Sequence, residues 1–314
     1  MAKHVILVLL MIFLHHGLQR DAAAQEIRVM VWNILHGGQS EELPEDGRPE
    51  VIRLIKDSRA DVILMIETYG AAPMIAEALG YNYELLSSNL CVWSRYPITR
   101  KILFPDHIDS FNFGGVEVSV DGKPVVFFDT WLHYLPDTRL VPLEKSEQEI
   151  LAWENDGSRD EEIQSILTAI RAFIDNADQV PVIMGGDFNS HSHLDWTTRT
   201  QNRFNHGNAV LTWGISKAMT DAGFVDTFRI AHPDPVENIG TTWMSARDST
   251  GALVFNRKDR IDYLYSMGQN LSVEASESVV APLGRAFTYQ DKSYKFFPSD
   301  HGFVLSTFNL RGNP

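Results

Sequence analysis

The sequence predicts an α/β fold in which β-sheets pack together beneath covering helices. Short β-branched or aromatic runs recur along the chain, and amphipathic helical patterns fall between them. Polar residues repeatedly sit where an apolar run stops. The 314 residues, 44% hydrophobic and 22% charged, suffice for a full core. No Pro/Gly/Ser-rich linker, internal repeat or low-complexity tract splits them, so one large domain is the simplest organisation.

The first segment stands outside that domain. "MAKHVILVLLMIFLHHGLQRDAAAQ" carries Lys3, an apolar run from Val5 to Leu14 and the small residues Ala22-Ala23-Ala24. This is the layout of a cleavable secretory signal, and the apolar run is too short to span a bilayer. The expectation is a leader over 1–24 and a mature domain over 25–314, secreted or periplasmic, with no membrane-spanning segment. The single cysteine, Cys91, cannot form an internal disulfide and reads as a small buried apolar side chain.

The strand-like runs are, in order, 26–32, 61–67, 89–94, 123–133, 180–186, 260–266, 271–280 and 302–310. Each is short and bounded by turn residues. Between them, "DEEIQSILTAIRAFIDNA" (160–177) places Ile163, Ile166, Leu167, Ile170, Phe173 and Ile174 on one helical face. "PEVIRLIKDSRA" (49–60) does the same with Val51, Leu54 and Ile55.

The ends of these runs carry the chemistry. Asn33 follows "VMVW", Glu67 follows "VILMI", His133 follows "VVFFDTWL", and Asp187 with Asn189 follows "VIMGG". Asp262 lies within "RIDYLY", and Asp300-His301 immediately precedes "GFVLSTF". Any one of these is an ordinary cap or turn residue. As a set they mark one edge of a sheet, where α/β active sites form.

Together, "VWNILHGG", "ADVILMIE", "GGDFNS", "RIDYLY" and "SDHGFVLS" resemble the endonuclease/exonuclease/phosphatase (deoxyribonuclease-I-like) superfamily, in its order, over about 27–310. The resemblance implies a four-layer α/β sandwich, two central mixed β-sheets flanked by helices. It also implies cleavage of phosphate esters with a divalent cation, Mg²⁺ in the first place and Mn²⁺ or Ca²⁺ as substitutes. Carried over by motif, Asn33, Glu67 and Asp300 belong to the metal site. Asp187 positions and deprotonates water, Asn189 donates to the phosphate, His301 faces it, and Asp262 holds His301. The chemistry is coherent: a hard cation bound by oxygens offsets phosphate charge, and an Asp–His pair orients and stabilises an imidazolium. Asp187 and His301 remain exchangeable as base and acid at this level.

The chain departs from the family in two places. In "DTWLHYLPDTR", Trp131 occupies the position of the family's Thr-His-Leu histidine, and His133 lies two residues on. Residues two apart in a strand share a face, so His133 is a candidate catalytic replacement and Trp131 a candidate pocket wall for a ring-shaped substrate. After GDFN, "SHSHLDW" adds His191, read as a surface polar group, and His193, a candidate phosphate contact. His36, beside two glycines, and Arg139 complete the substrate-binding candidates.

Net charge is −14, from 27 Lys+Arg against 41 Asp+Glu, and the longest basic cluster is "RKDR" at 257–260. Tight nucleic-acid binding needs a basic face, so nucleic acid ranks below a small-molecule ester or lipid headgroup as partner. The expected protein is a monomeric phosphoesterase. An extracellular nuclease comes second, and a non-catalytic phosphate-binding module third.

Overall fold

The computed structural model describes residues 25–247, 250–255 and 258–311. The leader read at 1–24 lies outside the described residues. Among the described residues sixteen strands follow one another: β1 Gln25–Asn33, β2 Val62–Ile66, β3 Asn82–Leu85, β4 Cys91–Ser94, β5 Ile98–Ile102, β6 Phe113–Val120, β7 Lys123–Trp131 and β8 Val182–Asp187. Then come β9 Val225–Asp226, β10 Ala246–Arg247, β11 Leu253–Val254, β12 Asp262–Met267, β13 Leu271–Val279, β14 Phe287–Tyr289, β15 Lys292–Tyr294 and β16 Phe303–Leu310.

Two six-stranded sheets result, in the orders β13-β16-β1-β2-β4-β3 and β5-β6-β7-β8-β12-β9. Each is built around one parallel pair, β1/β2 or β7/β8, with antiparallel neighbours on both sides. The last register pairs of these parallel strands are Asn33 with Ile66 and Trp131 with Asp187. Strands that run side by side in the same direction deliver their C-terminal ends to one rim.

Side-chain parity sets the layers. Ile27, Val29 and Val31 of β1 join Val62, Leu64 and Ile66 of β2, and Val125, Phe127, Ile183 and Leu264 of the second sheet, in the cluster between the sheets. Alternate residues turn outward. Met30, Trp32, Ile63 and Met65 meet the helices Arg48–Ser58 and Ala72–Leu79. Val126, Phe128, Val182 and Met184 meet the helices Arg159–Ala169 and Gly214–Asp221. The order is helix, sheet, sheet, helix, the four-layer sandwich that the family resemblance implies. The cluster between the sheets is mostly aliphatic and buried, so truncating one such residue, Leu64→Ala for example, costs about 2–5 kcal/mol.

Element boundaries shift from the sequence expectation in instructive ways. The helix read over 160–177 divides into Arg159–Ala169 and Arg171–Asp175, because Ile170 leaves helical geometry with φ −94° and ψ 7°. The strand read as ending at Gly186 continues through Asp187, whose neighbours Trp131 and Asp262 both pair with it. Cys91 is buried in β4, as expected. No helix among the described residues is long and apolar enough to cross a membrane.

Candidate active site

The site continues the inter-sheet layer past its apolar part. Asn33 follows Val31 by two residues, Asp187 follows Gly185 and Ile183 at steps of two, and Asp262 precedes Leu264 by two. The parity that buries Val31, Ile183 and Leu264 between the sheets points these three polar groups into the mouth of the same layer.

Hydrogen bonds join them into one network. Asn33 Nδ2 donates to Glu67 Oε1 at 3.1 Å and to Asp187 Oδ2 at 3.2 Å, bridging the two sheets. Glu67 Oε2 accepts from the His36 backbone N–H at 3.0 Å. His301 Nδ1 lies 3.0 and 3.2 Å from the two oxygens of Asp262, while its Nε2 sits 3.8 Å from Asp187 Oδ2. Ser299 fixes the approach of this imidazole: its Oγ donates to the Asn33 carbonyl at 2.7 Å and accepts from the His301 N–H at 3.0 Å. Trp32 Nε1 donates to the His301 carbonyl at 2.9 Å.

The backbone is bent where these groups are presented. His36, Glu67 and Asn189 adopt φ of +51°, +59° and +49°. Left-handed geometry is costly for residues with a Cβ and persists where surroundings enforce it. For Glu67 the enforcement is Asn89, whose Oδ1 accepts the Glu67 N–H at 2.9 Å.

Electrostatics set the protonation of the pair. Burial disfavours imidazolium, but Asp262, Asp187 and Asp300 together outweigh it and hold His301 well above its ordinary pKa. Burial, followed by the charge of Asp262, pushes Asp187 up against the opposing pull of His301. The imidazole is thus held toward its protonated form, and the proton affinity of the Asp187 carboxyl is raised to about 7. Such a pair suits proton transfer near neutral pH.

The donor set fits a hard divalent cation. Glu67 is partly exposed and the buried Oδ1 of Asp300 has no hydrogen-bond partner, while Asn33, whose Oδ1 accepts the Leu35 N–H at 3.0 Å, turns its amide N–H to Glu67 and orients it. Oxygen donors of this kind suit Mg²⁺ or Mn²⁺. Ligand atoms of Asp187, Asp262 and His301 also lie within 4.8 Å of one another. Asp262 is fully buried with both oxygens turned to the imidazole, so that trio reads better as an acid–base group than as a metal cage.

The remaining sequence candidates divide. Arg139 reaches the site: its guanidinium lies 5.1 Å from the Trp243 ring, which stacks on His301 at 5.7 Å and donates Nε1–H to Asp300 Oδ2 at 3.2 Å. His36 is exposed, its ring 5.9 Å from that of Tyr69. Trp131 lies beside Asp187 in register, partly exposed and edge-on to Phe111 at 5.9 Å. Asn189 binds Asp187 Oδ1 through its backbone N–H at 3.0 Å, and its side-chain amide donates to the Leu132 carbonyl at 2.9 Å.

Two further histidine candidates, His133 and His193, are held by local contacts of their own. His133 comes after β7 has ended, so strand parity no longer governs it. Its ring stacks on Tyr134 at 4.9 Å, its Nδ1 accepts the Leu135 N–H, and its backbone N–H donates to Glu162. His193 turns its Nδ1 to Ser216 Oγ at 2.8 Å, against the helix Gly214–Asp221. His191, read as a surface group, is buried between Trp196 and Trp213 at 5.0 and 4.9 Å. Arg260 of the "RKDR" run is likewise buried, bound to Asp195 and Asp226 rather than free to meet phosphate. Sequence reasoning missed Trp243, Asn89 and Ser299. Ser299 stood inside the quoted "SDH", whereas nothing local distinguishes Trp243 or Asn89 from core or turn residues.

Comparison with known proteins bears on the family and the fold. The Endonuclease/Exonuclease/phosphatase family profile matches residues 30–301. The uncharacterized protein F14F9.5 of Caenorhabditis elegans is 26% identical over 302 residues, covering 90% of this chain and 91% of its own. Among solved structures, D. rerio TDP2 complexed with a single-strand DNA product superposes with a TM-score of 0.60 at 12% identity, covering 91% of this chain and 99% of that one. A mannosyl-6-phosphatase of Bacteroides thetaiotaomicron gives 0.57 at 15% identity, covering 90% and 99%. At these identities the structures attest the fold alone.

Proposed function

This chain belongs to the endonuclease/exonuclease/phosphatase family, whose members are divalent-metal-dependent phosphoesterases and nucleases, and we propose that it hydrolyses a small-molecule or lipid-derived phosphate ester. The observation that carries the reading is the Asn33 amide joining Glu67 to Asp187, with His301 held by Asp262 on the far side of Asp187. One network thereby couples an oxygen-rich cation site to an acid–base pair.

Glu67 and Asp300 are the residues that would hold the cation, with the Asn33 amide orienting Glu67. When bound, it neutralises charge on the phosphoryl oxygens. Asp187 is placed to orient water and take its proton. Protonated His301 offers its Nε2–H to a phosphate oxygen, with Asp262 fixing the ring. Arg139 and Trp243 form the neighbouring wall. A net charge of −14 and a buried Arg260 disfavour a long polyanion, which supports a compact ester over DNA. The leader-like first 24 residues support a secreted or periplasmic location.

The test is a panel of bis-p-nitrophenyl phosphate, p-nitrophenyl phosphate, sphingomyelin, sugar and inositol phosphates and plasmid DNA, with and without chelator. The expected result is metal-dependent turnover with a small ester far ahead of DNA in kcat/KM at moderate salt. DNA nicking that matches the best small ester would instead support an extracellular nuclease. Binding without turnover of any of them would support a phosphate-binding module.

A further inference from the structure

Arg159 begins the helix Arg159–Ala169, yet its side chain is buried, with 1% relative exposure. An enclosed guanidinium is costly unless most of its donors are met. Here both Nη groups are met, largely by loop carbonyls, while the buried Nε has no hydrogen-bond partner. Nη1 donates to the Asn189 carbonyl and, at 3.5 Å, to that of His133. Nη2 donates to the Pro136 carbonyl at 2.8 Å and to Glu154 Oε2 at 2.7 Å. Glu154, fully buried, in turn accepts from Ser190 Oγ at 2.7 Å. One ion pair thus ties together the loop leaving β7, the turn leaving β8 and the helix Glu147–Glu154.

What the pair holds is the strained turn of the site. Asn189 keeps its left-handed φ of +49° while its N–H donates to Asp187 Oδ1 and its side chain to Leu132. The bond from Arg159 to the Asn189 carbonyl fixes that same residue's following peptide. We infer that Arg159, through Glu154, is a positioning residue: the buried pair locks the Asn189 turn against the His133–Pro136 loop and so sets the direction of the Asp187 carboxylate. Neither side chain meets substrate, since both are enclosed. The kinetic half of the test rests on the phosphoesterase reading; the hydrogen-exchange half does not.

The decisive variant removes both charges together. Arg159→Met alone leaves Glu154 buried and unpaired, whereas Arg159→Met with Glu154→Leu replaces the pair by apolar groups, a change that often preserves stability. The double variant should melt close to wild type yet stay at least about tenfold down in kcat, with KM changed less than about threefold, since misplacing a reacting group by 1 Å can cost about 100-fold. Its amide exchange should quicken at 132–137 and 187–191 and not across the sheets. Recovery of kcat together with melting temperature, or unchanged exchange at those two segments, overturns the inference. If the double variant does not fold, Arg159→Lys decides, because Lys keeps the charge but cannot span the same set of carbonyls. Wild-type kcat and wild-type exchange in Arg159→Lys overturn it. If wild type hydrolyses no phosphate ester, the phosphoesterase reading fails and exchange alone decides this one.

Discussion

Two segments of this chain, 187–195 and 260–262, each feed two buried charge clusters, and the clusters differ in kind. In the first, Asp187 and Asp262 face the single imidazole of His301, with Asp300 close enough to raise that imidazole's pKa. In the second, Asp195 and Asp226 face the guanidinium groups of Arg229 and Arg260. Two acids against two permanent bases make a balanced, closely bonded set: Arg260 Nε and Arg229 Nε each reach Asp195 within 2.8 Å. The first cluster is acid-rich, and its carboxyl Asp187 is held above its ordinary pKa. Balance marks scaffold, and excess acid marks a place prepared for an added cation or proton. The two clusters should therefore answer mutation with opposite patterns.

The largest effect belongs to the acid-rich cluster. Asp187→Asn and His301→Ala should each lower kcat by about 1,000-fold or more, in line with loss of a general acid–base group. Asp187→Asn should leave the melting temperature unchanged or raised, because it removes an ionised form that burial and Asp262 disfavour. Kinetics and a melting curve on the same sample check both halves. A large drop in melting temperature with Asp187→Asn would place this cluster with the scaffold.

Metal removal comes next. Chelator should abolish turnover, and Mg²⁺ or Mn²⁺ should restore it. Because a ligand bound only to the folded state stabilises it, by about 2.7 kcal/mol at 100 times Kd, added cation should also raise the wild-type melting temperature. Glu67→Ala should need far more cation for half-maximal activity and lose most of the thermal shift. Equal shifts in wild type and variant would move the cation away from Glu67.

The balanced cluster should respond in stability instead. Removing one member of a buried ion pair costs about 3–5 kcal/mol, so Asp195→Asn should melt roughly 5–15 °C lower while folded molecules keep most of their kcat. Its pH dependence has a definite sign. Burial raises the Asp195 carboxyl, but Arg260 and Arg229 outweigh burial and hold it below the usual range. The folded pKa thus lies under the unfolded value of about 3.9, so the contribution is complete above that value and is lost as pH falls through the folded one. The gap in melting temperature between wild type and Asp195→Asn should be full at pH 7 and smaller at pH 3. A gap that grew on acidification would show that Asp195 is not the carboxylate these arginines hold.

This contrast was half legible in the sequence. The layered α/β fold followed from β-branched runs and helical periodicity, and strand-end residues Asn33, Glu67 and Asp187 stood out because parity and position suffice to place them. His301 and Asp262 needed the family motifs, since 39 positions separate two residues whose side chains lie 3.0 Å apart. Asp195, in "SHSHLDW", and Arg260, in "RKDR", were illegible as partners. Their meaning is a long-range pairing that no local pattern encodes, and a basic run reads as surface until a buried acid is found opposite it. Strand parity does not place His133 either: a two-residue period holds only while the strand lasts, and β7 stops at Trp131.

The smallest expected effect tests where the acid-rich cluster meets solvent. Arg139 is 37% exposed, bound to Asp137 through Nη2, and lies over Trp243, whose side chain also meets His301 and Asp300. It can draw in an anionic ester without touching the proton-transferring atoms. Arg139→Ala should therefore raise KM by about threefold to tenfold at low salt and leave kcat within about twofold, the pattern of uniform binding lost. Because the group is partly in water, its pull is screened: the Debye length falls from about 10 Å at 0.1 M salt to about 3 Å at 1 M. The KM difference between wild type and variant should shrink across that range. A kcat that fell with Arg139→Ala, and stayed down in high salt, would mean that the stack through Trp243 orients His301, and Arg139 would move from the rim into the acid–base group itself.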